Sequence, residues 1–166
     1  MINDIYDKVL KIVENWCPSK SYSHERRFQN ELRDYLSERL NSPNQGFGGL
    51  QKKRNIPVET EKGREIKADI LVDETVPIEV KRNLKRRHYR GLDSELSDYL
   101  KEFNQVILVI CGVEREQILE KIKSKWESTR PGLSPTQGKV DVVVKRKENF
   151  GKGNDKEDDK SGWSLL

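Results

Sequence analysis

Apolar positions in the first forty residues recur at helical spacing. In "INDIYDKVLKIVENW" the residues Ile2, Ile5, Val9, Ile12, Val13 and Trp16 share one face, and Pro18 follows to stop the helix. "SHERRFQNELRDYLSERL" carries a second stripe of Phe28, Leu32, Leu36 and Leu40, with Ser23 in the position of an N-cap. The turn-forming run "NSPNQGFGG" closes this helical half. Beyond it the period drops to two. In "REIKADILVD" the residues Ile66, Ala68, Ile70 and Val72 alternate with Lys67, Asp69 and Leu71, and "VPIEVKRN" separates Ile78 and Val80 from Glu79 and Lys81. A strand near "NIPVET" pairs with the first of these, and Asp73, Glu74 and Thr75 turn the hairpin between the two. "LDSELSDYLKEF" predicts a helix and "QVILVICG" a fully buried strand, followed by a helix in "EREQILEKIKSKWES" and a last strand in "KVDVVVKRK". The order is α-α-β-β-β-α-β-α-β, an α/β chain without an internal repeat.

A length of 166 residues suits one domain. Residues 1 to 147 are expected to form it, and residues 148 to 166 a flexible C-terminal tail, because "ENFGKGNDKEDDKSG" has almost nothing to bury. Charged residues (36%) outnumber hydrophobic ones (33%), so the domain reading rests on the apolar residues falling in periodic blocks rather than on their abundance. Cys17 and Cys111 stand far apart with no metal-ligand spacing, which leaves two thiols and neither a disulfide framework nor a zinc site. No stretch reads as a membrane span or a signal peptide, so a cytoplasmic location is the default expectation.

The candidate chemistry lies in the hairpin. With the turn centred on Glu74, antiparallel pairing sets Asp69 opposite Glu79 and Lys67 opposite Lys81, all on the less apolar face. Two carboxylates side by side repel and lose hydration, an arrangement that a cation between them relieves. Oxygen ligands of this kind suit a hard divalent ion such as Mg²⁺, with Mn²⁺ as a substitute. Lys81 then stands ready to hold a water or to stabilise charge on a phosphate. A third acid, Glu25, falls in the middle of the Phe28, Leu32 and Leu36 stripe with Gln29 beside it, whereas Glu31 points to the side. Glu25 is read as an acid delivered to the same site by a helix lying across the sheet face of Asp69 and Glu79. The alternative is a first-turn glutamate that only favours the helix dipole.

"ADILVD" and "VPIEVK" together resemble the core motif of the PD-(D/E)XK nuclease superfamily, with Asp69, Glu79 and Lys81 at the motif positions and the likeness in element order running from about Ser23 to Cys111. The resemblance implies a restriction-endonuclease-like fold, a mixed central β-sheet flanked by helices with the core order αβββαβ. It also implies Mg²⁺ held by Asp69, Glu79 and the Val80 carbonyl, with Lys81 assisting the attacking water and Glu25 as the additional acid of the preceding helix. Ala68 replaces the proline of the motif. Many members carry a Gln and a Tyr on the next helix, where this chain has Glu95 and Tyr99.

Net charge is +4, and its distribution matters more than its size. "QKKRN" and "KRNLKRRHYR" concentrate Lys52, Lys53, Arg54, Lys85, Arg86, Arg87 and Arg90, which read either as a solvated face or as contacts to a nucleic-acid backbone. Tyr89 is a candidate for stacking on a base, His88 for phosphate contact, and His24 for an exposed helix start. The expected activity is Mg²⁺-dependent hydrolysis of DNA phosphodiester bonds by an endonuclease, structure-selective or directed by a partner, with a homodimer as one way to cut two strands. Two alternatives remain: a catalytically silent module of the same fold that binds nucleic acid or protein, and a structural salt-bridge cluster.

Overall fold

The two apolar stripes of the N-terminal half form helix α1 (Asp4–Asn15) and helix α2 (Glu25–Asn41). The computed structural model describes residues 4–42, 55–62, 67–127 and 138–152. In α1 the fully buried positions are Tyr6, Val9 and Val13, followed by Trp16, while Ile5 and Ile12 lie at the edge of the cluster. Tyr6 is absent from the sequence-derived stripe because a phenol inside a core needs a polar partner. Its hydroxyl lies 2.6 Å from Asp141 Oδ2 and 3.2 Å from the Val106 carbonyl. The N-cap of α2 is His24 rather than Ser23, and its side chain makes no capping bond.

Alternating segments give strands β1 (Val58–Lys62), β2 (Ala68–Val72) and β3 (Val76–Leu84), and the later apolar runs give β4 (Gln105–Val113) and β5 (Lys139–Lys145). They form one five-stranded mixed sheet in the order β1-β2-β3-β4-β5. The first three strands are antiparallel neighbours, and β3, β4 and β5 are parallel. Parallel neighbours need a crossover, and helices α3 (Arg86–Glu102) and α4 (Glu116–Trp126) supply the two that are required. The hairpin turn falls at Asp73 and Glu74, both at positive φ (52° and 57°), and Thr75 N–H donates to the Val72 carbonyl at 3.1 Å. This is the turn the sequence predicts.

Helix α3 begins at Arg86, ahead of the apolar pattern that starts at Leu92. Arginine is a good helix former and the helix runs through Gly91 without a break, so residues 86 to 90, Tyr89 included, are helical.

Successive strand residues point to opposite faces, which divides the core in two. One layer joins Phe28, Leu32, Leu36 and Leu40 of α2 and the buried face of α1 to Ile70, Val72, Ile78, Val80, Ile107 and Val109. The other joins Leu92, Leu96 and Tyr99 of α3 and Ile118, Leu119 and Ile122 of α4 to Leu71, Leu108 and Ile110. Glu79 and Lys81 are paired with Leu108 and Ile110 in the β3–β4 register, so they belong to the α3 side. The expectation that α2 lies across the face of Asp69 and Glu79 is therefore corrected. The apolar stripe of α2 seats on the part of the sheet formed by Ile70, Val72, Ile78 and Val80, and α3, with polar Glu95 and Tyr99, covers the face that carries the acids.

The described chain packs on the domain past Glu148, where the sequence predicts a tail to begin. A short 3₁₀ turn (Lys147–Asn149) leads to Phe150, whose ring lies 5.8 Å from that of Phe28, and Gly151 N–H donates to the Pro18 carbonyl at 2.8 Å. Lys145 is buried, and its ammonium donates to the Glu14 carbonyl at the end of α1 (2.8 Å), a placement that satisfies a terminal helix carbonyl. Both cysteines are free thiols and buried, and burial pushes the Cys111 thiol well above its ordinary pKa. Among the described residues no helix is long and apolar enough to cross a membrane.

Candidate functional site

Strands β2 and β3 pair from Val72↔Val76 to Ile70↔Ile78 and then part. A longer hairpin would satisfy the next inward N–H groups of β3 with carbonyls of β2. Here carboxylates take them: Val80 N–H donates to Asp69 Oδ2 at 2.9 Å, and Arg82 N–H donates to Glu25 Oε2 at 3.1 Å. Asp69 comes from β2 and Glu25 from the first turn of α2, which reaches the open fork from the opposite layer. Arg82 strengthens this junction, since its Nε donates to the Tyr22 carbonyl at 2.8 Å. Arg82 was not among the sequence-derived candidates; its position in "EVKRN", one residue after Lys81, was the available signal.

On the α3 face, Glu79 is 5% exposed and has both oxygens engaged. Tyr99 donates to Oε2 at 2.6 Å and the Lys81 ammonium lies 2.9 Å from Oε1. Lys81 also lies 2.9 Å from Glu95 Oε2. Tyr99 OH is 3.1 Å from the Lys67 carbonyl, which ties α3 to the start of β2. Glu95 and Tyr99 therefore both face the acids, one on the lysine and one on Glu79.

Burial, above all, pushes the Asp69 carboxyl up to about 6, against the Val80 N–H and the charge of Lys81; Glu25 nearby adds to the rise. Burial, reinforced by the charge of Asp69, pushes Glu79 up to about 8, although Lys81 and Tyr99 oppose it. Burial would lower the Lys81 ammonium, but Glu79 and Glu95 outweigh it and hold lysine above its ordinary value. Burial and Glu79 likewise keep the Tyr99 phenol protonated. The acids thus form a repelling pair inside the protein that one ammonium only partly offsets, and a divalent cation is the partner that would relieve it.

Among the described residues no three His, Cys, Asp or Glu side chains form a group able to hold a metal ion. Asp69 and Glu79 are brought together, whereas Glu25 stands at the Arg82 amide beside them. Mg²⁺ is commonly held through one or two carboxylates with water completing its shell, so the donor set fits with two acids and a main-chain oxygen such as the Val80 carbonyl.

Of the remaining candidates, Gln29 is buried one turn along α2 from Glu25, and Lys67 has an exposed side chain. Lys85 is the N-cap of α3, and its ammonium lies 3.5 Å from Glu114. Its N–H donates to His88 Nδ1 at 3.1 Å, so His88 works as a cap in its neutral form, consistent with burial and the charges of Arg87 and Lys81 lowering its pKa. Arg86, Arg87 and Arg90 are exposed on the first turns of α3. Lys52, Lys53 and Arg54 lie outside the described residues.

Glu31 takes a different part. It accepts from Ser19 N–H at 3.1 Å, from the Ser19 hydroxyl and from Tyr22 OH at 2.8 Å, holding the connection between α1 and α2. Replacing Glu31 by alanine is expected to cost about 1 to 2 kcal/mol in urea unfolding while sparing activity. Glu25→Ala is expected to damage activity more than Glu31→Ala, and equal losses of activity would contradict the placement of Glu25 at the site.

No protein-family model matches this chain, and comparison with curated proteins and with solved structures gave no match.

Proposed function

We propose that this chain is an Mg²⁺-dependent nuclease that hydrolyses phosphodiester bonds in DNA. The observation that carries the reading is the fork between β2 and β3, where half-buried Asp69 and buried Glu79 stand together with Lys81 in contact with Glu79. The resemblance of "ADILVD" and "VPIEVK" to the PD-(D/E)XK superfamily supports it, as does the element order, which is the one expected for a restriction-endonuclease-like fold.

Asp69 and Glu79 would hold the ion. When bound, Mg²⁺ supplies neutralising charge to the phosphate and makes a nearby water a better nucleophile. Lys81 would direct its ammonium to the attacking water or to a non-bridging phosphate oxygen, adding positive charge where negative charge grows. Tyr99 fixes the orientation of Glu79, and Glu25 fixes the edge of β3 beside it. Arg86, Arg87 and Arg90 would grip the sugar-phosphate backbone, giving salt-dependent affinity without sequence readout. Structure-selective cutting, or specificity supplied by a protein partner or a second copy, suits a domain of this size.

The second reading is a catalytically silent module that binds nucleic acid or protein. It is favoured by the lack of a three-acid group among the described residues and by the double engagement of Lys81. Incubation with single-stranded, duplex, flapped and four-way-junction DNA and with RNA, in Mg²⁺, Mn²⁺ or chelator, separates the two. The nuclease reading predicts metal-dependent cutting of at least one DNA substrate; salt-sensitive binding without cutting would favour the silent module.

A further inference from the structure

We propose that Glu95 occupies the place of a substrate phosphate on Lys81 and is displaced from it on binding, so that it sets the strength with which the site takes an anion. This rests on the reading of Lys81 as the cation that meets phosphate. Lys81 is 13% exposed and offers its ammonium to two carboxylates, each at 2.9 Å. The two partners are unlike. Glu79 is buried, sits on the same strand and is fixed from its other side by Tyr99. Glu95 is 46% exposed, at the border of the sheet-facing side of α3, and meets the lysine on its solvent side.

An anion approaching Lys81 from solvent meets the Glu95 carboxylate first, because burial of Glu79 closes the approach from the other side. A phosphate oxygen and a carboxylate oxygen accept from an ammonium in the same way and at the same distance. A phosphate set on the solvent side of the ammonium would lie against the Glu95 carboxylate and repel it, whereas Glu79 holds the buried side. The half-exposed ion pair is weak enough to be exchanged, whereas a buried one would not be. Glu95 is thus a positioning residue acting through Lys81. Its negative charge selects against weakly held anions and keeps the ammonium pointed at the site until a polyanion with further contacts at Arg86, Arg87 and Arg90 displaces it.

The test is inorganic phosphate titrated into wild type, Glu95→Gln, Lys81→Gln and the double variant, with chelator present and thermal unfolding as a control for folding. Glu95→Gln should bind phosphate several-fold to about tenfold more tightly, and the gain should vanish when Lys81 is glutamine. An unchanged affinity in Glu95→Gln, or an equal gain with and without Lys81, would overturn the proposal. In cleavage assays Glu95→Gln should lower KM more than it changes kcat, a split that loss of a merely structural contact would not produce. Absence of metal-dependent cleavage in every variant would defeat the nuclease reading alone, because the phosphate titration needs no turnover.

Discussion

Lys81→Met is expected to lower Mg²⁺-dependent DNA cleavage about a thousandfold while leaving the domain folded. The two halves of this result have separate causes. Cleavage falls because, in the proposed nuclease, the ammonium beside Glu79 would serve the water or the phosphate on the α3 face. The fold survives because the partner left behind need not stay charged. Glu79, pushed up to about 8 even with the lysine present, stays protonated at neutral pH once the lysine is gone, and its bond from Tyr99 remains. A buried carboxylate stranded without a partner costs several kcal/mol, whereas a neutral, hydrogen-bonded carboxyl costs far less. Single-turnover cleavage and urea unfolding of the same preparation check both halves. Wild-type rates in the variant would remove Lys81 from the chemistry, and an unfolded variant would show that its pairing is structural.

The second large effect is on stability against pH. The folded values of about 8 for Glu79 and about 6 for Asp69 lie above the ordinary 4.5 and 3.8. Acids raised on folding make the folded state bind more protons than the unfolded one. Their stabilising contribution is whole below the ordinary values and is lost as pH climbs through the raised ones. Without metal, the domain should therefore lose on the order of a few kcal/mol between about pH 5 and about pH 8. A divalent ion competes with those protons, so Mg²⁺ should restore stability at the upper end of the window and do little at the lower. Thermal unfolding in chelator and in Mg²⁺ across this range measures it. Stability that stays level or rises with pH in chelator would mean that the two acids are not the repelling pair described here.

Much of the site was legible in the sequence because a strand has a period of two and a hairpin turn fixes register. Once "DET" is the turn, Asp69, Glu79 and Lys81 fall on one face without tertiary information, although the strands part after Ile70 and Ile78, before the Asp69–Glu79 and Lys67–Lys81 pairs that a continued ladder predicts. The layer occupied by α2 was not legible in the same way. Its stripe shows that it packs against the sheet, but Leu71, Leu108 and Ile110 on one side and Ile70, Ile78 and Val80 on the other leave both faces able to receive a helix. Glu25 still comes to the Arg82 amide beside the acids because it lies at the helix end and extends to the open edge of β3 rather than across its surface. The start of α3 escaped for another reason. Residues 86 to 91 carry charge without apolar repetition, so the period that locates a helix is silent there, although arginine continues a helix readily. Phe150, a lone aromatic in a polar run, likewise has no period to announce that it docks against Phe28.

The proposed chemistry requires a divalent-cation site at Asp69 and Glu79, and calorimetric titration of Mn²⁺ into metal-free protein at about pH 8, for wild type and for Asp69→Asn, tests it directly. Saturable uptake by the wild type that is lost in Asp69→Asn is the predicted result. No uptake by the wild type, or the same uptake in the variant, would contradict it.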